Sequence, residues 1–85
     1  MSDPTRWDDA LDLIVGAARH KAALPENVAK PDPPTVTFCF ERAGDELQEA
    51  WAEADSEIGL LINECGDVLN FLAMAVELRR RGALE

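Results

Sequence analysis

Two pairs of carboxylates stand out in this chain because the members of each pair are three residues apart. Glu46 and Glu49 form the first pair, and Glu64 and Asp67 form the second. Residues at this spacing lie on one face of a helix, so each pair would present its carboxylates in one direction. Carboxylates on an apolar face need a positive partner. Because residues 43–78 contain no lysine or arginine, a divalent cation is the simplest partner, which points to phosphate chemistry.

Apolar residues recurring at helical spacing predict the elements that would position these pairs. We expect a first helix that opens with the capping pair Asp3-Pro4 and ends near Leu24. The proline-rich segment Pro25–Pro34 is predicted to be a stiff connector without regular structure. A second helix should run from about Thr35 to Ala54. A third should run from Glu57 to about Arg81, with Ser56 as its N-cap and Gly82 as its stop.

The two acidic pairs are expected to face each other if the second and third helices pack antiparallel. Fourteen residues lie between Glu49 and Glu64. Two antiparallel helical segments joined by a tight turn need about this length to place the two acidic pairs at the same height along the helices. Glu64 itself projects from an apolar face of the third helix. The buried face of the second helix is predicted to comprise Val36, Phe40, Ala43, Leu47, Ala50, Trp51 and Ala54.

The length of the chain predicts one small domain over residues 1–85, near the size limit at which a single core stabilises itself. The fold class we predict is all-α, a small antiparallel bundle of about three helices completed by oligomerisation. The third helix is apolar nearly all round, and such a helix is buried on several sides. With two other helices to cover it, we expect a second subunit, in a homodimer or a tetramer.

Charge and cysteine content limit which binding partners and which cellular compartment the sequence predicts for the protein. A net charge of -9 argues against nucleic-acid binding, which depends on lysine and arginine. No apolar run approaches the ~20 residues of a membrane span, so no membrane partner is expected. Cys39 and Cys65 do not form a disulfide framework, and His20 as the sole histidine leaves no zinc site. With no apolar signal segment at the N-terminus, we expect a cytoplasmic protein with free thiols.

The acidic motifs resemble those of a known family. The chain reads Asp45-Glu46-Leu47-Gln48-Glu49 and then Glu64-Cys65-Gly66-Asp67-Val68-Leu69-Asn70-Phe71. This is similar to the E-E-x-x-E helix followed by E-x-x-D that marks the all-α nucleoside triphosphate pyrophosphohydrolases. That family includes MazG, dimeric dUTPases and phosphoribosyl-ATP pyrophosphohydrolase. The resemblance covers about residues 36–80.

Carried over position by position, the resemblance implies a metal site made by the two pairs. Glu46, Glu49, Glu64 and Asp67 would be the ligands of Mg²⁺, with Mn²⁺ as a substitute. Glu46 or Glu49 would accept the proton of the attacking water, and the sequence does not choose between them. Such a site would leave open positions for a triphosphate, because Mg²⁺ keeps waters and substrate phosphates among its ligands.

Several further residues have a predicted role near that site. Asp45 replaces the first glutamate of the family motif, and it is an additional candidate acid together with Glu53. The basic residue that precedes the acids in the family corresponds to Arg42. Phe71, one turn after the second pair, is the candidate contact for the base, and Lys21 at the end of the first helix is a candidate contact for phosphate.

The resemblance implies Mg²⁺-dependent hydrolysis of a nucleoside triphosphate to the monophosphate and pyrophosphate, as in MazG-like house-cleaning enzymes. One alternative is a dUTPase or a phosphoribosyl-ATP pyrophosphohydrolase activity by the same chemistry. A second alternative is a non-catalytic helical interaction module whose acidic stripe docks a basic partner. In that case Glu64 and Asp67 would be exposed and the fold would not respond to metal. A separate interpretation of the acids is that Glu46, Glu49, Glu53 and Glu57 form an ordinary solvated stripe.

Overall fold

The computed structural model describes residues 6–83, and every regular element within that range is a helix. The four helices are α1 (Asp8–Ala22), α2 (Pro25–Val28), α3 (Val36–Ala52) and α4 (Ile58–Arg80). Three of them are long and match the three predicted helices in order and position. The predicted all-α class, a small helical bundle, is therefore confirmed.

Local sequence explains how α3 begins and how α4 ends. The Thr35 hydroxyl accepts a hydrogen bond of 2.9 Å from the Phe38 N–H, which satisfies one of the free donors of the first turn. After α4, Gly82 adopts a φ of 98°, a conformation that favours glycine. Its N–H donates to the Arg79 carbonyl, which closes the helix end. Gly82 is thus the stop that the sequence predicted.

The structure corrects two predictions about the ends and connections of the helices. Part of the predicted connector Pro25–Pro34 forms the single helical turn α2, whose proline stands at the first position, where a missing N–H is harmless. Ser56 is not the N-cap of α4, because that position is occupied by Glu57, which makes no side-chain capping bond. The predicted capping pair Asp3-Pro4 lies outside the described residues.

The helix α4 packs against both α1 and α3, whereas α1 and α3 do not contact each other within residues 6–83. α3 and α4 run antiparallel, because Cys39 near the start of α3 packs against Ala75 late in α4. The connection between them is the short turn 53–57. An open cleft therefore lies between α1 and α3, with α4 as its floor.

A glycine sets how closely α1 approaches α4. A Cβ atom at Gly66 would lie 3.1 Å from the backbone nitrogen of Ala18 and 3.2 Å from the Cβ of Ala17. Beside it, the Asn70 side-chain amide donates a hydrogen bond of 3.0 Å to the Ala18 carbonyl. This close crossing places the C-terminal end of α1, including Lys21, against the middle of α4.

The buried core of the single chain is small and built largely from small side chains. The predicted buried face of α3 is correct at Val36, Ala43 and Ala50. It is wrong at the large residues Phe40, Leu47 and Trp51, which are exposed, the last of them by 82%. It is also wrong at Ala54, which is exposed and follows the end of α3. α3 turns its small residues and Glu46 towards α4, so its large side chains point away. The buried apolar residues are Ala18, Val36, Cys39, Ala43, Ala50 and Ala75.

The helix α4 is long and apolar enough, by length and composition alone, to cross a membrane. The sequence expectation that no segment came near that length is therefore corrected. One such helix is weak evidence for a membrane, because the central helix of a bundle passes the same test.

Candidate functional site

Three carboxylates from α3 and α4 meet beside the cleft, and two of them, Glu46 and Asp67, line it. One oxygen of each of Glu46, Glu64 and Asp67 lies within 4.8 Å of the others. Oxygens on opposite sides of a Mg²⁺ ion are separated by roughly 4 Å, twice the usual ligand distance. Small rotations of these side chains would therefore let all three bind one divalent cation.

The Glu64 carboxylate supplies the most direct sign of a missing partner. Its Oε2 atom is buried, and no hydrogen bond reaches it. Buried polar atoms are nearly always paired, so an orphaned carboxylate oxygen is costly. Burial, followed by repulsion from Asp67 and Glu49, raises the pKa of Glu64 above its ordinary value of 4.5. A divalent cation would remove this cost, so the donor set fits a metal.

Glu46 is the most deeply buried of the three carboxylates, with 8% of its surface exposed. Burial is the largest cause of a pKa raised from 4.5 to about 7. A hydrogen bond with Glu49 and the charges of Glu49 and Asp67 raise it further, and Arg42 opposes them. In the absence of a metal, Glu46 can therefore take up and release a proton near neutral pH, which is the property required of a general base.

A lysine from α1 reaches the cluster, which corrects the inference that no protein cation is available. The Lys21 Nζ lies 2.6 Å from Asp67 Oδ1. The hydrogen bond to Asp67 raises the pKa of Lys21 against the effect of burial, and the charges of Glu64 and Glu46 add to the increase. The ammonium is therefore retained at neutral pH. The sequence pattern could not reveal this pair, because Lys21 and Asp67 meet only through the crossing of α1 and α4.

Arg42 holds one wall of the cleft in place. Its guanidinium donates to Glu46 and to Asp45, each at 3.1 Å. The same group lies 5.4 Å from the centre of the Phe71 ring, within the range of a cation–π contact. Asp45 is exposed and paired with Arg42 rather than included in the group of three carboxylates. Arg42 and Phe71 thus lie together beside the cluster.

The remaining two predicted acids lie at the edge of the group. Glu49 is exposed, and its charge contributes to the raised pKa of Glu46, but it does not join the group of three carboxylates. Glu53 is half-buried, and its charge contributes to the raised pKa of Glu64. Three of the predicted acids, Glu49, Glu53 and Asp67, thus lie near Glu46 or Glu64, whereas Asp45 pairs with Arg42.

The cleft beside the cluster has a volume of about 790 Å³, within the range of small-molecule sites. Its acidic floor includes Glu46 and Asp67, and its walls carry charged groups of both signs, amides and aromatic rings. Asn70 joins the cleft to α1 through its bond to Ala18, a role that no sequence pattern indicated. The wall residues that carry polar groups or rings are Lys21, Glu26, Asn27, Lys30, Asp32, Phe38, Arg42, Asn70 and Phe71.

Replacing Lys21 by methionine should separate the two effects of its ammonium. Without magnesium we expect a loss of about 1–2 kcal/mol of stability, between the values of exposed and buried ion pairs. With magnesium we expect a larger rise in melting temperature than in the unaltered protein, because the ammonium no longer competes for Asp67. Thermal unfolding with and without Mg²⁺ measures both.

The matched control is Lys30→Met, which removes the same charge from an exposed residue of the same cleft. It should leave both measurements nearly unchanged, because no ion pair of Lys30 occurs in the described part of the chain. A magnesium response that shrinks in Lys21→Met would show that the lysine assists rather than competes with the metal.

Comparison with known proteins does not assign the chain to a family, since no protein-family model, curated protein or solved structure matches it.

Proposed function

We propose that the protein is a Mg²⁺-dependent nucleoside triphosphate pyrophosphohydrolase of the MazG-like type, which releases a nucleoside monophosphate and pyrophosphate. The observation that carries the proposal is the buried, unpartnered oxygen of Glu64 within a group of three carboxylates. The cleft of about 790 Å³ next to that group supports it, because it offers room for a nucleotide.

The carboxylates divide into ligands and a proton acceptor. Glu46, Glu64 and Asp67 would hold the metal, and Glu49 would complete the set from the rim. When bound, Mg²⁺ neutralises triphosphate charge and makes water more acidic. The water attacks the α-phosphorus, and the bond to the bridging oxygen breaks, so that pyrophosphate leaves. The released proton would pass to whichever of Glu46 and Glu49 is not bound to the metal.

The walls of the cleft would bind the rest of the substrate. Arg42 and Lys30 carry the positive charge that phosphate oxygens require, and both line the cleft. Phe71 offers a ring face to a nucleobase, with the Arg42 guanidinium beside it. The net charge of -9 does not oppose such a ligand, because a triphosphate arrives together with its own cations.

The interaction-module alternative is less well supported by the same geometry. It requires Glu64 and Asp67 to face solvent, where a basic partner could reach them. The Asp67 side chain is instead 15% exposed and already paired with Lys21, and the Glu64 Oε2 atom is buried. dUTP and phosphoribosyl-ATP remain alternative substrates, because they would use the same acidic group.

Pyrophosphate release from a panel of ribo- and deoxyribonucleoside triphosphates, dUTP and phosphoribosyl-ATP tests the proposal. We expect release with Mg²⁺ or Mn²⁺, none with a chelator, and one equivalent of monophosphate for each pyrophosphate. Thermal unfolding should show stabilisation by either metal alone, since binding to the native state raises its stability. A flat thermal response with no turnover of any substrate would favour the interaction module.

A further inference from the structure

Two asparagine side chains of the cleft have no part in the proposed hydrolysis. Asn27 on α2 and Asn70 on α4 both line the cleft, and both are half-buried. The amide nitrogen of Asn27 donates a hydrogen bond of 2.7 Å to the Lys21 carbonyl, and that of Asn70 donates one of 3.0 Å to the Ala18 carbonyl. Because only the nitrogen of an amide can donate, these bonds fix the orientation of each amide group.

The amide oxygens of Asn27 and Asn70 are available to accept a hydrogen bond from a ligand. Neither oxygen accepts one from the described residues 6–83. Neither is fully buried, because Oε2 of Glu64 is the one buried side-chain oxygen or nitrogen without a partner in that part of the chain. The cleft therefore presents two accessible acceptors whose nitrogen ends are already held by α1.

The two amide groups are close neighbours on one wall of the cleft. Their carbonyl partners, Ala18 and Lys21, stand one turn apart on α1, which corresponds to about 4.5 Å along the helix. An amino group carries two hydrogens on one nitrogen, so at the usual distance of ~2.9 Å it can bind two acceptors that are about 5 Å apart. A ring N–H can donate to only one well-placed acceptor. The paired amides therefore fit an amino group better than a ring N–H.

Two aromatic rings of the same cleft can hold a base against these acceptors. Phe71 follows Asn70 directly in α4, and Phe38 lines the cleft from the first turn of α3. Aromatic rings stack on the faces of bases of any kind, so discrimination between bases comes from hydrogen bonds at their edges. Arg42 and Lys30 are the cations proposed for the phosphate oxygens, which leaves the amides for the base.

We propose that the cleft selects nucleoside triphosphates whose base carries an exocyclic amino group, as in cytosine and adenine, over those with an oxo group in its place, as in uracil and hypoxanthine. The amino group donates one N–H to the oxygen of Asn27 and the other to the oxygen of Asn70. An oxo group would face both amide oxygens with no hydrogen between them, and acceptors desolvated without a donor weaken binding. The proposal rests on the nucleotide substrate of the proposed function and adds the class of base.

Matched pairs of nucleotides test this selectivity. CTP and UTP differ by the exchange of an amino for an oxo group at one edge of the base, and so do ATP and ITP. With Mg²⁺, kcat/KM should be about ten-fold or more higher for CTP than for UTP and for ATP than for ITP. Equal values within each pair, or a preference for the oxo member, would overturn the selectivity while leaving the proposed function in place.

Substitutions of Asn27 separate recognition of the base from a structural role. Asn27→Leu removes both the oxygen and the nitrogen, whereas Asn27→Asp keeps an acceptor and loses the donor to the Lys21 carbonyl. Recognition predicts that the CTP to UTP ratio of kcat/KM falls about ten-fold in Asn27→Leu and is kept in Asn27→Asp. The matched control is Asn63→Leu at an exposed position of α4 outside the cleft, which should keep the ratio. An unchanged ratio in Asn27→Leu would make the side chain purely structural and overturn the proposal.

Calorimetric titration with CMP and UMP repeats the test without any turnover. We expect CMP to bind about ten-fold more tightly than UMP to the unaltered protein, and this preference should disappear in Asn27→Leu. An inactive protein that still prefers CMP would contradict the proposed function and support the selectivity. Equal affinities for CMP and UMP would overturn the selectivity, whether or not the protein hydrolyses nucleotides.

Discussion

Replacing Glu64 by glutamine is expected to abolish pyrophosphate release while making the metal-free protein more stable. The amide has the shape of the carboxylate but is a poor Mg²⁺ ligand. Groups that only orient a metal ligand already contribute 10–100-fold, so we expect a loss of at least roughly 100-fold in turnover. Stability should rise because the change removes a buried charge whose Oε2 atom has no partner. Turnover and thermal unfolding without metal measure the two effects.

The opposite signs of these two effects distinguish a functional carboxylate from a structural one. A residue that merely held the fold together would lose activity and stability at the same time. The matched control is Glu41→Gln, the same change at an exposed position of α3, and it should retain full activity. Retained turnover in Glu64→Gln would remove Glu64 from the mechanism.

The metal-free protein should become less stable as the pH rises from about 4.5 to about 7. The pKa of Glu46 is raised from 4.5 to about 7, chiefly by burial, and burial raises the pKa of Glu64 in the same direction. The folded state therefore binds protons more tightly than the unfolded state over this window, so raising the pH favours unfolding. Lys21 does not oppose this trend, because its pKa is raised above 10.5 and it stays charged throughout this window. We expect a loss on the order of a few kcal/mol.

Magnesium should reverse this trend, because carboxylates bind the ion in their deprotonated form. Urea unfolding at about pH 5.5 and about pH 8, with and without Mg²⁺, measures the effect. We expect magnesium to stabilise the protein more at the higher pH. Glu46→Gln should flatten the pH dependence of the metal-free protein, and an equally steep dependence in that variant would assign it to other groups. Stability that increases with pH in the metal-free protein would contradict the prediction itself.

The helices could be predicted from the sequence because their signals are local. Thr35 caps α3, Gly82 ends α4, and apolar residues recur with the helical period between such points. The buried face of α3 was harder to predict, because Phe40 and Trp51 are apolar enough for a core. Hydrophobicity shows that a side chain favours burial, but the element that packs against it decides whether burial occurs.

Local sequence likewise predicted part of the candidate site, whereas the rest depends on contacts between residues far apart in the chain. The i,i+3 spacing of the acids and the length of sequence between the two pairs indicated which carboxylates could meet. The cation beside them could not be predicted, because Lys21 approaches Asp67 only where Gly66 lets α1 cross close to α4. Asn70 was missed for the same reason, since its partner Ala18 lies on the other helix.

The sequence by itself determined the all-α class, the order of the helices and the spacing that puts the two acids of each pair on one side of their helix. These features depend on a period of 3.6 residues and on local capping. Only the tertiary structure decided that Lys21 pairs with Asp67, that one oxygen of Glu64 lacks a partner and that Trp51 is exposed. These features depend on the distance between helices and on the rotation of each about its axis, which arise from packing along the whole chain.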